Sequence, residues 1–475
     1  MFNKIIASAL IMLAVLSLNA CTTVTGATST TVQTTAQSAV TQAGATGTQT
    51  QSAEGSPQPP PDGQGGSTSA STTVTLTGVY SQSGGSVTKT GQAYTATGTD
   101  ESAIVVTDAG VLTLTDATVT SSGNTSSSDN SSFYGQNAAI LANAGSTINL
   151  SNVVITTTGT GANGAFASGT GSSVNLSNVT IDASGDGGHA VMATLGGTMT
   201  LVDVDMVTSN AHSGAVATDR GRGTITVTGG TVTTSGQDSP GIYSTGTITV
   251  TGTTITATGA EAAVIEGANT IDLTDTTLTS SKDDKWGVMI YQSMSGDAEG
   301  TQGSFTMSGG TLAYTSTSGP LFYVTNSTGA ITLKGVDVTV GSGTLVKASA
   351  GNWGNNGTNG GNVILTAYGQ TLVGNMAADN ISTIAATLQN SSSLKGAINS
   401  ENTAKEANLT LDASSTWDVT ADSYLNCLSD ANGISGDTVA NISGNGHTVY
   451  YNQSACAELG GKTYNLNGGG YLKPA

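Results

Sequence analysis

Ile148-Asn149-Leu150-Ser151-Asn152-Val153-Val154-Ile155 and, one repeat later, Val174-Asn175-Leu176-Ser177-Asn178-Val179-Thr180-Ile181 decide the fold. Apolar residues two apart put Ile148 and Leu150 on one side of an extended chain and Asn149 on the other. Asn152 then supplies a residue that tolerates a left-handed backbone, and Ile155 returns to the apolar side. The pattern recurs from Leu112, Met199, Ile225, Ile248, Ile271, Phe305 and Ile331. Its corner position holds Asp116, Asn152, Asn178, Asp203, Gly229, Gly252, Asp275, Gly309 and Gly335, so the property the copies share is conformational.

Ile148, Val174, Met199, Ile225, Ile248 and Ile271 follow at intervals of 26, 25, 26, 23 and 23 residues, too short for propeller blades or helical hairpins. A further apolar stretch precedes each copy: Ala139-Ile140-Leu141, Ala165-Phe166-Ala167, Ala190-Val191-Met192, Ala215-Val216-Ala217 and Ala263-Val264-Ile265, read as a third inward-facing strand. Three short strands per turn of roughly 25 residues predict an all-β fold, a single-stranded right-handed parallel β-helix of about ten or more rungs. The helix is expected over residues 73–375, with 376–475 as its continuation and C-terminal β cap, because an uncapped end exposes strand edges. Longer turns at 124–135, 292–304 and 351–362 are expected to project as loops.

Over about residues 74–375 this pattern resembles the pectin-lyase-like superfamily. Residues 394–398 and 409–425, with Leu409, Leu411, Trp417 and Val419, resemble the distal end of autotransporter passenger domains, although the translocating barrel of those proteins does not follow.

The chain has 475 residues, 65 of them Gly, with 12 Lys plus Arg against 31 Asp plus Glu and a net charge of -19. So few cations exclude a nucleic-acid partner, which needs clustered Lys and Arg. At the N-terminus Lys4 precedes an apolar run over residues 5–18 and then Leu18-Asn19-Ala20-Cys21. This resembles a bacterial lipobox, which implies removal of a signal peptide (1–20), lipidation of Cys21 and a membrane partner through that lipid. The alternative is an ordinary secretory signal. Residues 21–72 comprise Cys21 and a Thr-, Ser-, Gln- and Pro-rich linker too poor in apolar residues to repay its ordering entropy. The resemblance implies a bacterial cell-envelope location, at the outer membrane or cell surface, and a monomer is expected.

Cys427 and Cys456, 29 residues apart with no further His or Cys at ligand spacing, are read as a disulfide, the alternative being two buried thiols; no metal site and no cofactor is expected. The superfamily's enzymes act on polysaccharides with Asp-rich sites. The nearest approach here is Asp182, Asp186, Gly188-His189, His212 and Asp219-Arg220-Gly221-Arg222, within about two rungs of one another. Carboxylates beside a proton-transferring group suit glycosidic cleavage, so Asp182, Asp186, His189, His212, Arg220 and Arg222 are the catalytic candidates, weighed against solvated turn residues. Asp283, Asp284, Trp286, Tyr291 and Trp353 are ligand-binding candidates, because aromatics beside carboxylates suit the two characters of a sugar ring; the alternative is that the rings fill a widened core turn. Outward Thr-x-Thr pairs such as Thr226/Thr228 are like those of ice-binding β-helices, but Asn149, Asn175, Asp272 and Lys334 break the row. The sequence therefore points to a lipid-anchored, surface-displayed β-helix with an adhesin-like or structural role, binding extracellular polysaccharide or a host or cell surface. The alternative is a carbohydrate-active enzyme, polysaccharide lyase or glycoside hydrolase, with a site near His189 and Arg222. An acid/base cluster converging in a groove is what separates the two.

Overall fold

A computed structural model describes residues 74–430 and 432–475; the signal-peptide, Cys21 and linker readings lie outside the described residues. The described chain is a right-handed parallel β-solenoid of about 16 turns. The residues aligned in the repeat are in register: Ile148 pairs with Val174, Val174 with Met199, Met199 with Ile225 and Ile225 with Ile248. Each points into a continuous core and is essentially inaccessible. Burial of each such aliphatic contributes about 1.5–3 kcal/mol before entropy is subtracted, and stacking repeats it down the axis.

The corners are left-handed, as their alternation of Asp, Asn and Gly predicts: φ is 53° at Asp116, 54° at Asn152, 52° at Asn178, 51° at Asp203 and 71° at Gly229. Where the corner is Asn, its side chain also ties the rungs. Asn152 Nδ2 donates to Asp116 Oδ1 (3.0 Å), and Asn178 Nδ2 donates to Asn152 Oδ1 (2.8 Å).

One face of the solenoid, the groove sheet, has 12 strands running from Thr77–Ser83 to Asn375–Ala378. Here the structure corrects the sequence reading. Ala165 and Ala167 face the core, but Phe166 between them points outward and is nonetheless buried, as are Leu141, Met192 and Ala217 in the same row. From Glu101–Thr107 to Phe322–Thr325 this sheet is covered on both faces, which is why those strands read as unbroken apolar runs.

The cover comes from the three long turns, which fold over the sheet rather than project from it. Residues 124–135 contain a helix absent from the sequence reading, α1 (Ser128–Tyr134), capped by Ser127 Oγ accepting from Asn130 N and by left-handed Gly135. Residues 292–304 are pinned by Gln292 Nε2, which donates to Ala298 O (3.0 Å) and Gly300 O (2.7 Å). Residues 351–362 are pinned by Asn359 Nδ2, donating to Gly351 O and Trp353 O (both 2.9 Å).

Toward the C-terminus the parallel ladders end in two antiparallel pairs, Ile434–Ser435 with Thr438–Ser443 and Tyr464–Asn467 with Tyr471–Pro474. Trp417 is buried at this end with Nε1 donating to Gly396 O (2.9 Å). Cys427 and Cys456 are joined by a disulfide, their Cα atoms 4.8 Å apart. Among the described residues no helix is long and apolar enough to cross a membrane.

Candidate functional site

Between α1 and the loop carrying Trp353, the outer face of the groove sheet bears a cavity of about 150 Å³. Its floor is the outward row of the sheet: Met192, Tyr243, Val264 and Met289. Two walls rise from the turns on either side of the strands, and both are acidic.

The first wall follows from a column of small residues. Gly98, Gly123, Gly159 and Gly185 stack so closely that a Cβ on any of the last three would lie 1.9 Å from the carbonyl oxygen of the glycine before it. The column continues through Asn210 to Gly236 and Gly259, and the residues just after it enter the turn that leads to the groove sheet. Asp186, His212, Asp238 and Glu261 all stand one or two positions past this column, so the repeat aligns them along one rim, and all four line the cavity. His212 Nδ1 lies 3.3 Å from Asp186 Oδ1. Lys285 Nζ donates to Asp238 Oδ1 at 2.6 Å, both side chains nearly inaccessible. Glu261 is 2% exposed and its Oε1 has no hydrogen-bond partner. Burial raises the Glu261 carboxyl above its ordinary range, against the opposing pull of Lys285.

His189 opens the same wall, on the rung of Asp186. Its Nδ1 is 2.7 Å from Gly214 O; a carbonyl only accepts, so Nδ1 carries the proton and Nε2 has the lone pair. Burial holds the imidazole down to about 4, so this tautomer persists at neutral pH.

The second wall lies at the ends of the strands, with Glu266, the last residue of the strand Ala263–Glu266, set behind the residues that line the cavity. Glu266 is buried and its carboxylate accepts from Tyr243 Oη, Tyr291 Oη (2.9 Å), Ser293 Oγ and Ser293 N (3.3 Å). Asp219 lines the cavity two strands away; burial, then the Asp297 charge, push its carboxyl well above the usual range. Arg220 ties this wall together. Its Nε and Nη2 both donate to Asp297 Oδ1 (2.9 and 2.6 Å), and the guanidinium lies 3.8 Å from the centroid of the Phe133 ring on α1.

Aromatic rings close the far end. Tyr291 and Trp353 line the cavity with centroids 4.9 Å apart, and just beyond them Trp286 stacks on Tyr323 at 4.2 Å.

Of the sequence candidates, Asp186, His189, His212, Tyr291 and Trp353 therefore share one cavity, uniting two sites that the sequence had kept apart. Arg220 borders it as a structural tie. Asp182 is exposed on the strand Ser173–Ala183 outside the cavity, and Arg222 is exposed in a left-handed turn, also outside. Asp283 accepts from Ser316 Oγ and Asp284 N donates to Ser318 Oγ, so both belong to an exposed turn away from the cavity. Asp238, Tyr243, Glu261 and Glu266 were missed. Each is one acid or one ring within a turn or strand, and only stacking the rungs one or two residues past the Gly column would have collected them.

Replacing Arg220 by lysine is expected to lower stability by only about 1 kcal/mol, because the side chain is 42% exposed and solvent screens it. The clearer effect is local: limited proteolysis is expected to cut faster within residues 292–304. An unchanged cleavage rate would show that Asp297 does not need its two-donor partner.

Compared with known proteins, the chain matches no family model, no curated protein and no solved structure.

Proposed function

We propose that this cavity is a carbohydrate-binding groove, presented by a lipid-anchored surface protein in an adhesin-like role. One observation carries the reading: Asp186, Asp238 and Glu261 on one wall and Asp219 on the other line a cavity that also has an apolar floor and the rings of Tyr243, Tyr291 and Trp353. A pyranose offers an apolar face to stack and hydroxyls to hydrogen-bond, and this lining supplies a partner for each. Lipid attachment at Cys21, with residues 22–72 as a spacer, would hold the solenoid off the membrane, in keeping with the resemblance to lipoproteins and passenger domains. Mass spectrometry of the mature N-terminal peptide tests this part; an unmodified Cys21 would refute it.

The binding reading is tested with the chain carrying Cys21→Ser on an array of immobilised glycans. Binding is expected, weakened about tenfold by Trp353→Ala and largely restored by Trp353→Phe, on the basis that one stacking ring contributes about 1 kcal/mol or more. Equal binding by all three proteins would place the ligand elsewhere.

A second reading, hydrolysis of the bound glycan, has its own support. His189 with an unprotonated Nε2, and Asp219 and Glu261 with raised carboxyls, are the kinds of proton acceptor and donor that glycosidic cleavage uses. Release of new reducing ends by the parent chain but not by Asp219→Asn or Glu261→Gln favours catalysis. Binding without release favours adhesion.

A further inference from the structure

The charge of the groove says which glycans it suits. Six acidic side chains stand in or beside the cavity (Asp186, Asp219, Asp238, Glu261, Glu266 and Asp297), two of them, Asp219 and Glu261, raised by burial, against two cations, Arg220 and Lys285. Both cations are engaged, Arg220 with Asp297 and the Phe133 ring, and Lys285 through a hydrogen bond with Asp238 and, at longer range, through its charge with Glu261. Uronic acids, which need a cation to meet their carboxylates, would meet an acidic lining whose two cations are already engaged.

Glu261 provides an independent pointer. It is 98% buried, lines the cavity and has an Oε1 with no partner, whereas the Glu266 carboxylate is fully occupied by Tyr243, Tyr291 and Ser293. A buried acceptor without a donor is costly, and a ligand that brings a donor recovers that cost. An ammonium brings three donors and the opposite charge. The neighbouring faces of Tyr243, Tyr291 and Trp353 also attract cations, through the ring quadrupole.

Resting on the carbohydrate reading above, we infer that the groove selects an amino sugar with a free, protonated amine, its ammonium placed at Glu261 and its ring over the apolar floor. The same geometry rejects uronic acids and disfavours N-acetylated sugars, whose amide offers one donor and no charge.

Isothermal titration calorimetry at pH 6 on the chain carrying Cys21→Ser tests this with three β-1,4 probes of equal length: a glucosamine tetramer, an N-acetylglucosamine tetramer and a glucuronic acid tetramer. The amine tetramer is expected to bind about tenfold or more tightly than its N-acetylated counterpart, with no measurable uronate binding. Because the whole chain carries a net charge of -19, diffuse attraction of cations must be separated from the site. Glu261→Gln keeps the shape and is expected to cost the amine tetramer about tenfold and to remove most of its preference over the N-acetylated one. Circular dichroism confirms that the variant is folded. Equal affinity for the amine and N-acetyl tetramers, tighter uronate binding, or an amine affinity indifferent to Glu261→Gln overturns the selection while leaving a glycan-binding groove in place. Binding of none of the three overturns both readings.

Discussion

Gly185→Ala is expected to destabilise the solenoid by on the order of 4 kcal/mol, while Gly187→Ala in the same turn costs about 1 kcal/mol. The two glycines are two residues apart and fail for different reasons. A Cβ at Gly185 would sit 1.9 Å from Gly159 O and 2.7 Å from Gly159 C, and both atoms belong to the backbone of the previous rung. No rotamer change relieves that clash; the rungs must separate, and the ladder bonds on either side stretch with them. Gly187 has φ of 66° and open space around the Cβ position, so alanine there meets only the left-handed backbone penalty. Because Asp186 lies between them and His189 follows on the same turn, Gly185→Ala should also disorganise the groove and weaken ligand binding. Urea unfolding of the two variants beside the parent provides the check. A Gly185→Ala loss no larger than that of Gly187→Ala would show that rung spacing relaxes freely at this column.

The repeat was legible because a β-helix rung is a local object. Two apolar residues on one face, a corner that needs positive φ, and a return to the core all fall within eight residues, and the same eight recur. Asn152 and Gly229 share no chemistry, yet both take the left-handed conformation that their common position demands. The groove sheet was harder to read. The sequence of Ala165-Phe166-Ala167 does not distinguish a strand buried on one face from one buried on both, since the second cover is contributed by residues 124–135, 292–304 and 351–362. Helix α1 was missed for a related reason: seven mostly polar residues have little helical tendency alone. It is held by tertiary contacts, with Phe133 under the Arg220 guanidinium and Phe133 O accepting from Thr194 Oγ1 at 2.7 Å.

The site was half legible on the same principle. Asp186, His189 and His212 could be grouped because consecutive rungs put them near one another. Arg220 and Arg222 looked alike in sequence, but alternation about a turn sends one over α1 and the other to solvent. Glu261 carries the strongest pointer to a ligand, and its signal is an unpaired atom, which exists only once the chain is folded.

His189 gives the second large effect, one of pH. Its imidazole is held down to about 4 in the folded protein by burial, against an ordinary value of 6.5. Between those values the unfolded chain binds a proton that the native site refuses, so acidification favours unfolding; this contribution to stability is full above pH 6.5 and lost by about pH 4. At about 1.4 kcal/mol per unit it amounts to as much as about 3 kcal/mol. The groove's acids act in the opposite sense. Asp219 and Glu261 are raised, so the native state holds protons that the unfolded chain has released, and their contribution is lost as pH rises through their native values. The parent chain therefore shows a partly cancelled pH profile, and the imidazole term emerges only as a difference. In His189→Asn the amide Nδ2 can replace Nδ1 as donor to Gly214 O without titrating. Denaturant unfolding of both proteins at pH 7, 5.5 and 4 is expected to show the parent losing up to about 3 kcal/mol more than the variant across that range. A constant difference would mean that His189 accepts its proton in place, through water or a movement of the rim toward Asp186. In that case the imidazole would titrate near its ordinary value, so the tautomer set by Gly214 O would no longer be fixed by burial, and the hydrolytic reading would rest on a base partly protonated near neutral pH while the binding reading kept its carboxylates and rings.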